Sequence, residues 1–200
     1  MASLLLICLA FLSGSIPSGV IIGRLRGRDP REAGSGNIGA ANVARTAGFL
    51  AGAMVAVLDV LKGIIPVLLG LWLGMGQPAL ALVAVAAVLG HDFSIFLHFQ
   101  GGKGVATTFG VALVLAPIAA LLAIATWVGV LVISRYSSLA SLTALAALPL
   151  FVGLTHRPAL YVVAAFALFA LAAAKHWENT LRLMTGRERR MGAQHEADGG

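Results

Sequence analysis

Residues 104–134 read GVATTFGVALVLAPIAALLAIATWVGVLVIS, without a charged side chain and with one proline, Pro117. About 20 apolar residues suffice to cross a bilayer as a helix. Pro117 lacks a backbone N–H and disfavours helical geometry at the residue before it. The run therefore reads either as one long kinked helix or as two helices, 104–116 and 118–134. Further apolar segments cover 3–23, 47–74, 78–97, 139–154 and 158–174. The count is seven spans if Pro117 divides the run and six if it does not. Charge parity decides. Arg24, Arg26, Arg28, Arg31 and Arg45 follow the first segment, and Lys175, Arg182, Arg187, Arg189 and Arg190 follow the last. Both groups belong on the cytoplasmic side by the positive-inside rule. An even number of crossings must separate them, which gives an all-α integral membrane protein with seven transmembrane helices, its N-terminus out and its C-terminus cytoplasmic.

The composition agrees. Of 200 residues, 59% are hydrophobic and only 11% charged, against about 25% charged in a soluble domain. The net charge of +6 fits cytoplasmic loops facing anionic lipid. No basic face interleaved with aromatics points to nucleic acid. Cys8 stands alone inside the first segment and reads as a free core thiol. That segment lacks a basic n-region and reads as a retained helix rather than a signal peptide. Residues 1–190 form one membrane domain, with a polar tail at 191–200.

The chemistry gathers in four cytoplasmic regions: 24–46, 98–103, 135–138 and the tail from Lys175. Gly34-Ser35-Gly36-Asn37-Ile38-Gly39-Ala40-Ala41-Asn42-Val43-Ala44-Arg45 is rich in glycine and small polar residues. Such a stretch lets a ligand approach the backbone and offers free N–H groups to an anion, while Arg45 can grip a phosphate with paired bonds. Gly101-Gly102-Lys103-Gly104-Val105-Ala106-Thr107-Thr108 opens a helix, where unpaired amides attract anions. It lacks the spacing of a nucleotide-binding P-loop. Arg135-Tyr136-Ser137-Ser138-Leu139-Ala140-Ser141 places serines at another helix start, where capping competes with ligand contact. In His176-Trp177-Glu178-Asn179-Thr180-Leu181-Arg182, His176, Asn179 and Arg182 share related faces if the last helix continues; an interfacial collar is the alternative. His91 either bonds a substrate phosphate or satisfies a buried carbonyl. Asp59 and Lys62 share a helix face within the second segment and read as a structural pair.

No Gly-x-Ser-x-Gly elbow, no His followed five residues later by Asp, and no carboxylate cluster suited to a catalytic metal occurs. Phosphate recognition without a protein nucleophile remains. A carrier of small phosphorylated solutes is the rival reading, but no inverted repeat or interrupted mid-membrane helix supports it.

In this order the motifs resemble the PlsY family of bacterial acyl-phosphate:glycerol-3-phosphate acyltransferases. The resemblance covers residues 3–188, including Leu58 to Gly63 and Gly90 to Thr108. Trp177 and Leu181 stand where the family usually carries basic residues, and Ser94 where proline is usual. The resemblance implies seven spans, a site on the cytoplasmic side of the bacterial inner membrane, no cofactor, and dependence on an enzyme that makes acyl phosphate. It implies transfer of a fatty acyl group from acyl phosphate to the 1-hydroxyl of glycerol 3-phosphate. The residues expected to carry the reaction are Ser35, Arg45, Lys103, His176 and Asn179. Those expected to hold substrate are Asn37, Gly39, Asn42, His91, Gly101, Gly102, Gly104, Thr107, Ser138, Ser141 and Arg182.

Overall fold

A computed structural model of the chain describes residues 1–192. The first apolar segment forms α1 (Ala2–Ser15) and α2 (Ser18–Leu25), divided at Ile16-Pro17. An amphipathic helix α3 (Ala40–Ala47) precedes α4 (Phe49–Trp72). Next come α5 (Gln77–Asp92) and a single 3-10 turn at Ile95–Leu97. Pro117 does divide the long apolar run, into α6 (Val105–Leu115) and α7 (Pro117–Ser134). The Arg157 side chain reaches across to the end of α6, where its Nε donates to the Leu115 carbonyl at 2.8 Å. That bond satisfies a carbonyl the terminated helix would leave unpaired. α8 (Ser137–Leu154) and α9 (Ala159–Lys175) follow, and α10 (Trp177–Met184) leaves α9 at 63°.

Each predicted apolar segment is thus helical. Five helical stretches are long and apolar enough to cross a bilayer: Ala2–Leu25, Phe49–Trp72, Gln77–Leu97, Pro117–Ser134 and Ser137–Leu154. A sixth qualifies when α9 and α10 are taken together, and α6 is the shorter apolar helix. The third segment departs from its expected helix at Asp92 rather than running to residue 97. There the Ser94 hydroxyl donates to the Ser15 carbonyl at 2.5 Å, and the left-handed backbone of His98 and Phe99 turns the chain aside.

α5 lies at the centre, against α1, α4, α6 and α9. α1 turns Leu6, Ala10 and Gly14 inward, four residues apart. This leaves Cys8 on the outward face, a correction to its expected place in the core. The α1–α5 contact is backbone to backbone. A methyl on Gly14 would collide with the Ala87 carbonyl, and one on Gly90 with that of Phe11. Gly63 and Gly110 serve α4 and α6 in the same way, against the carbonyls of Thr107 and Val60. Small residues at crossing points are what helices need to associate where burial from water drives nothing. Outward faces are apolar, with Phe49 and Trp72 exposed at the two ends of α4. Of the expected tail, Met191 is held by its amide to the Arg135 carbonyl at 2.8 Å, and residues 193–200 lie outside the described residues.

Gly90→Val should lower the melting temperature in detergent, since overpacking against backbone costs about 1–3 kcal/mol or more. Gly129→Ala, in open space on α7, should leave it unchanged or raise it slightly. A thermal-shift measurement on the two purified variants checks this.

Candidate functional site

The first loop is folded by its own side chains. Asp29 takes hydrogen bonds from Arg31 at 2.7 and 3.0 Å and from Arg24 at 3.0 Å. The Arg31 contact holds its carboxyl well below the usual carboxylate range. Asn42 is buried, and its amide nitrogen donates to the carbonyls of Pro30, Ala33 and Asn37 at 2.8–3.1 Å. Its oxygen accepts the Ser35 amide at 2.8 Å. Asn42 therefore faces the loop interior and shapes the stretch that carries Ser35 and Asn37. Asn37 in turn accepts the Gly39 amide at 2.7 Å. Gly34, at φ +62, has no room for a side chain against the Asn42 oxygen.

The glycine loop is seated on the last turn of α5. The Gly101 amide donates to the Asp92 carbonyl at 3.2 Å and the Gly102 amide to the His91 carbonyl at 3.0 Å. A methyl on Gly101 would meet the His91 carbonyl, and one on Gly102 would meet the His91 ring at Nε2. Gly104, at φ +67, lies with its Cβ position 2.8 Å from the Asp92 carboxylate. These glycines are small because of what lies beneath them, and the amides of Gly101 and Gly102 are committed to α5. Lys103 alone projects from the loop, and its ammonium donates to the Asn179 side-chain oxygen. Burial, reinforced by the neighbouring Arg182 charge, lowers its pKa to about 8.

At the C-terminal side, the bend after α9 places His176 at a joint, buried, with Nδ1 2.8 Å from the Ala172 carbonyl. Asn179 and Arg182 lie on α10. Both donate to Glu188, at 2.6 and 2.9 Å, and the Ser138 hydroxyl joins them at 2.7 Å. Burial raises the Glu188 carboxyl, but these three bonds outweigh it and hold the group ionised. Arg45, at the end of α3, is partly buried and lies 3.9 Å from the Met191 sulfur. Burial lowers its pKa, Arg189 adds to that, and the Glu188 charge opposes it.

A cleft joins the two loops and α10. Ser35 and Asn37 line it from the first loop, Gly101, Gly102 and Lys103 from the second, and Asn179 and Arg182 from α10. Arg31 and Lys175 also line it, although the sequence identifies them only as cytoplasmic charges and not as site residues. Lys175 is fixed by the Asp92 carbonyl at 2.9 Å and lies 4.9 Å over the Phe93 ring. Four cations line the cleft, with Glu178 as the one carboxylate in the lining and Asp29 and Glu188 bonded behind Arg31 and Arg182, an arrangement that suits an anionic group such as a phosphate.

Other expected residues are placed elsewhere. Arg45 and Ser138 do not line the cleft and connect to it through the segment 188–191. Ser141 donates to the Ser137 carbonyl at 2.8 Å and accepts the Trp127 indole at 3.1 Å. Thr107 is wholly buried, at the α4 contact. His91 lies beneath Gly102 rather than in the cleft. Glu188 was missed because it sits in a run of arginines, 187–190, that reads as a solvated basic patch. Away from the cleft, a narrow apolar crevice lies among α5, α6, α8 and α9, bordered by Ala112, Leu115, Leu148, Tyr161, Ala165 and Leu168.

Similarity to known proteins is extensive. The glycerol-3-phosphate acyltransferase of Geobacter sulfurreducens is 45% identical over 190 residues, 95% of this chain and 98% of its own. That of Myxococcus xanthus is 49% identical over 187 residues, covering 92% and 97%. The crystal structure of PlsY (YgiH), an integral membrane glycerol 3-phosphate acyltransferase, in its glycerol 3-phosphate form superposes with a TM-score of 0.92 at 42% identity, covering 96% of each chain. Its lysophosphatidic acid form gives 0.90 at 41% identity and 95% coverage of each. The family profile described as glycerol-3-phosphate acyltransferase matches residues 4–186, and the chain belongs to that family.

Proposed function

We propose that the protein transfers a fatty acyl group from acyl phosphate to the 1-hydroxyl of glycerol 3-phosphate, releasing phosphate and 1-acyl-glycerol 3-phosphate. The observation that carries this reading is the convergence of Lys103, Arg182, Asn179 and Ser35 on one cleft next to an otherwise apolar helical bundle. The solved relative is described with glycerol 3-phosphate and with lysophosphatidic acid, an acceptor and a product of this kind. The carrier reading draws no support from these relatives.

Lys103, Arg182 and Ser35 hold the acceptor phosphate, with Arg45 and Ser138 closing on it from the side of Glu188. Asn37 and Arg31 meet the second phosphate, that of the donor. His176 and Asn179 orient the glycerol hydroxyls. Asn42, Gly39, Gly101, Gly102 and Gly104 shape the two loops. The acceptor oxygen forms a bond to the acyl carbon while the bond from that carbon to the phosphate oxygen breaks. The hydroxyl proton leaves with the departing phosphate. A mixed anhydride has a good leaving group, so positioning and charge stabilisation supply most of the rate. The chain spans the bacterial cytoplasmic membrane seven times, with α6 as the short crossing, the N-terminus outside and the site inside. An acyl-phosphate-producing enzyme supplies its donor.

Purified protein given acyl phosphate should release phosphate only when glycerol 3-phosphate is present. Lys103→Ala and Arg45→Ala should cut that rate roughly ten- to a hundredfold, the worth of one charged hydrogen bond to phosphate, while the protein still inserts. Near-normal turnover in both would refute the assignment. Lys103 loses its proton as pH rises through about 8, so kcat/KM for glycerol 3-phosphate should fall above that pH. Lys103→Arg should move the fall to higher pH. A reporter fused after Met191 should be active in the cytoplasm and silent outside it.

A further inference from the structure

A buried charge pair lies directly behind the glycine loop. Asp59 and Lys62 of α4 are 2% and 7% exposed. The Lys62 ammonium donates to Asp59 Oδ1 at 2.7 Å and to the Ser18 hydroxyl at 3.0 Å, and that hydroxyl donates to the same Oδ1 at 2.5 Å. The His91 ring is 3.6 Å from this oxygen through Nδ1, which has no hydrogen-bond partner among the described residues. Its other nitrogen, Nε2, occupies the place where a side chain on Gly102 would begin. The His91 carbonyl holds the amide of the same glycine, so His91 grips the loop twice. The backbone beneath the ring is packed closely on α1, where even a methyl on Gly90 would meet the Phe11 carbonyl. What remains adjustable is the imidazole, which faces Asp59 Oδ1 and through it the Lys62 ammonium.

We propose that Asp59, Lys62 and Ser18 are positioning residues, which set the His91 ring and thereby the height at which Gly102 presents Lys103 to the substrate phosphate. An ion pair at membrane depth is costly to bury and well-packed apolar residues often replace such pairs without loss. Its contact with the support of the loop gives it a task beyond joining α2 to α4. The proposal rests on Lys103 as a phosphate ligand, and the experiment separates the two.

The full chain in detergent is assayed for kcat and for both KM values. Asp59→Asn with Lys62→Gln removes the pair without leaving a lone buried charge. This double variant should raise KM for glycerol 3-phosphate on the order of tenfold or more, as small displacements of a binding group do, with KM for acyl phosphate close to wild type. Gly102→Ala should be strongly impaired by the His91 ring. Adding His91→Ala should recover several-fold of that loss, since the ring then no longer meets the new methyl. Unchanged kinetics in the double variant, or equal losses for both substrates, would overturn the brace. So would a Gly102→Ala/His91→Ala protein no better than Gly102→Ala. If Asp59→Asn/Lys62→Gln does not fold, Ser18→Ala, which removes one bond from each member of the pair, takes its place, with the same split between the two KM values expected and its absence overturning the brace. Lys103→Ala, run alongside, tests the phosphate assignment itself; if it keeps the wild-type KM, that assignment fails rather than the brace.

Discussion

The last turn of α5 offers two carbonyl groups, of His91 and Asp92, with no helical partner, and the glycine loop supplies the two amides that satisfy them. The rest of the site depends on this exchange. It fixes a polar loop at the end of an apolar helix and leaves one residue, Lys103, projecting from it. Because α5 is the central helix, packed on α1 through Gly14 and Gly90, the loop inherits the rigidity of the bundle. The bundle's glycines and the loop's glycines thus answer one requirement, close approach of main chain to main chain.

A cleft that gathers Arg31, Lys103, Lys175 and Arg182 must keep like charges from driving it apart. Each cation has a tether. Arg31 is held by Asp29, Lys175 by a carbonyl, Lys103 by an amide oxygen, and Arg182 by Glu178 and Glu188. The tethers are short and mostly local, so the positive field of the cleft is aimed rather than diffuse. Such preorganisation is what lets fixed charges act on a reacting group without first rearranging.

Much of this architecture was legible in the residues. The apolar segments and the break at Pro117 follow from composition and from the missing proline N–H, and both recur in the helices. Lys103, Asn179 and Arg182 were recognisable as cationic or hydrogen-bonding groups outside those segments, and they do meet in the cleft. Less legible was the reason for each glycine. Gly101 and Gly102 line the cleft as expected of them, but their lack of a side chain is required by α5 beneath. Asn42 looked like a ligand contact, and it spends its hydrogen bonds on its own loop. Such distinctions depend on which side of the backbone a neighbour lies, which spacing along the chain does not encode. Glu188 is hidden among the arginines of 187–190, and one of its three partners, Ser138, lies fifty positions earlier.

That separation bears on how the molecule is made. Arg45, Lys103 and Ser138 lie between or at the starts of hydrophobic helices and are made before the last of them. The carboxylate that ties Ser138 to Asn179 and Arg182 comes after every one of those helices. A nascent chain halted between residues 183 and 187 carries Arg31, Lys103, Lys175 and Arg182 but not the carboxylate that joins Arg182 to Asn179 and Ser138. The finished arrangement of charges can form only once translation has passed that point, so a half-built protein in the membrane lacks an ordered trap for the cell's phosphorylated metabolites.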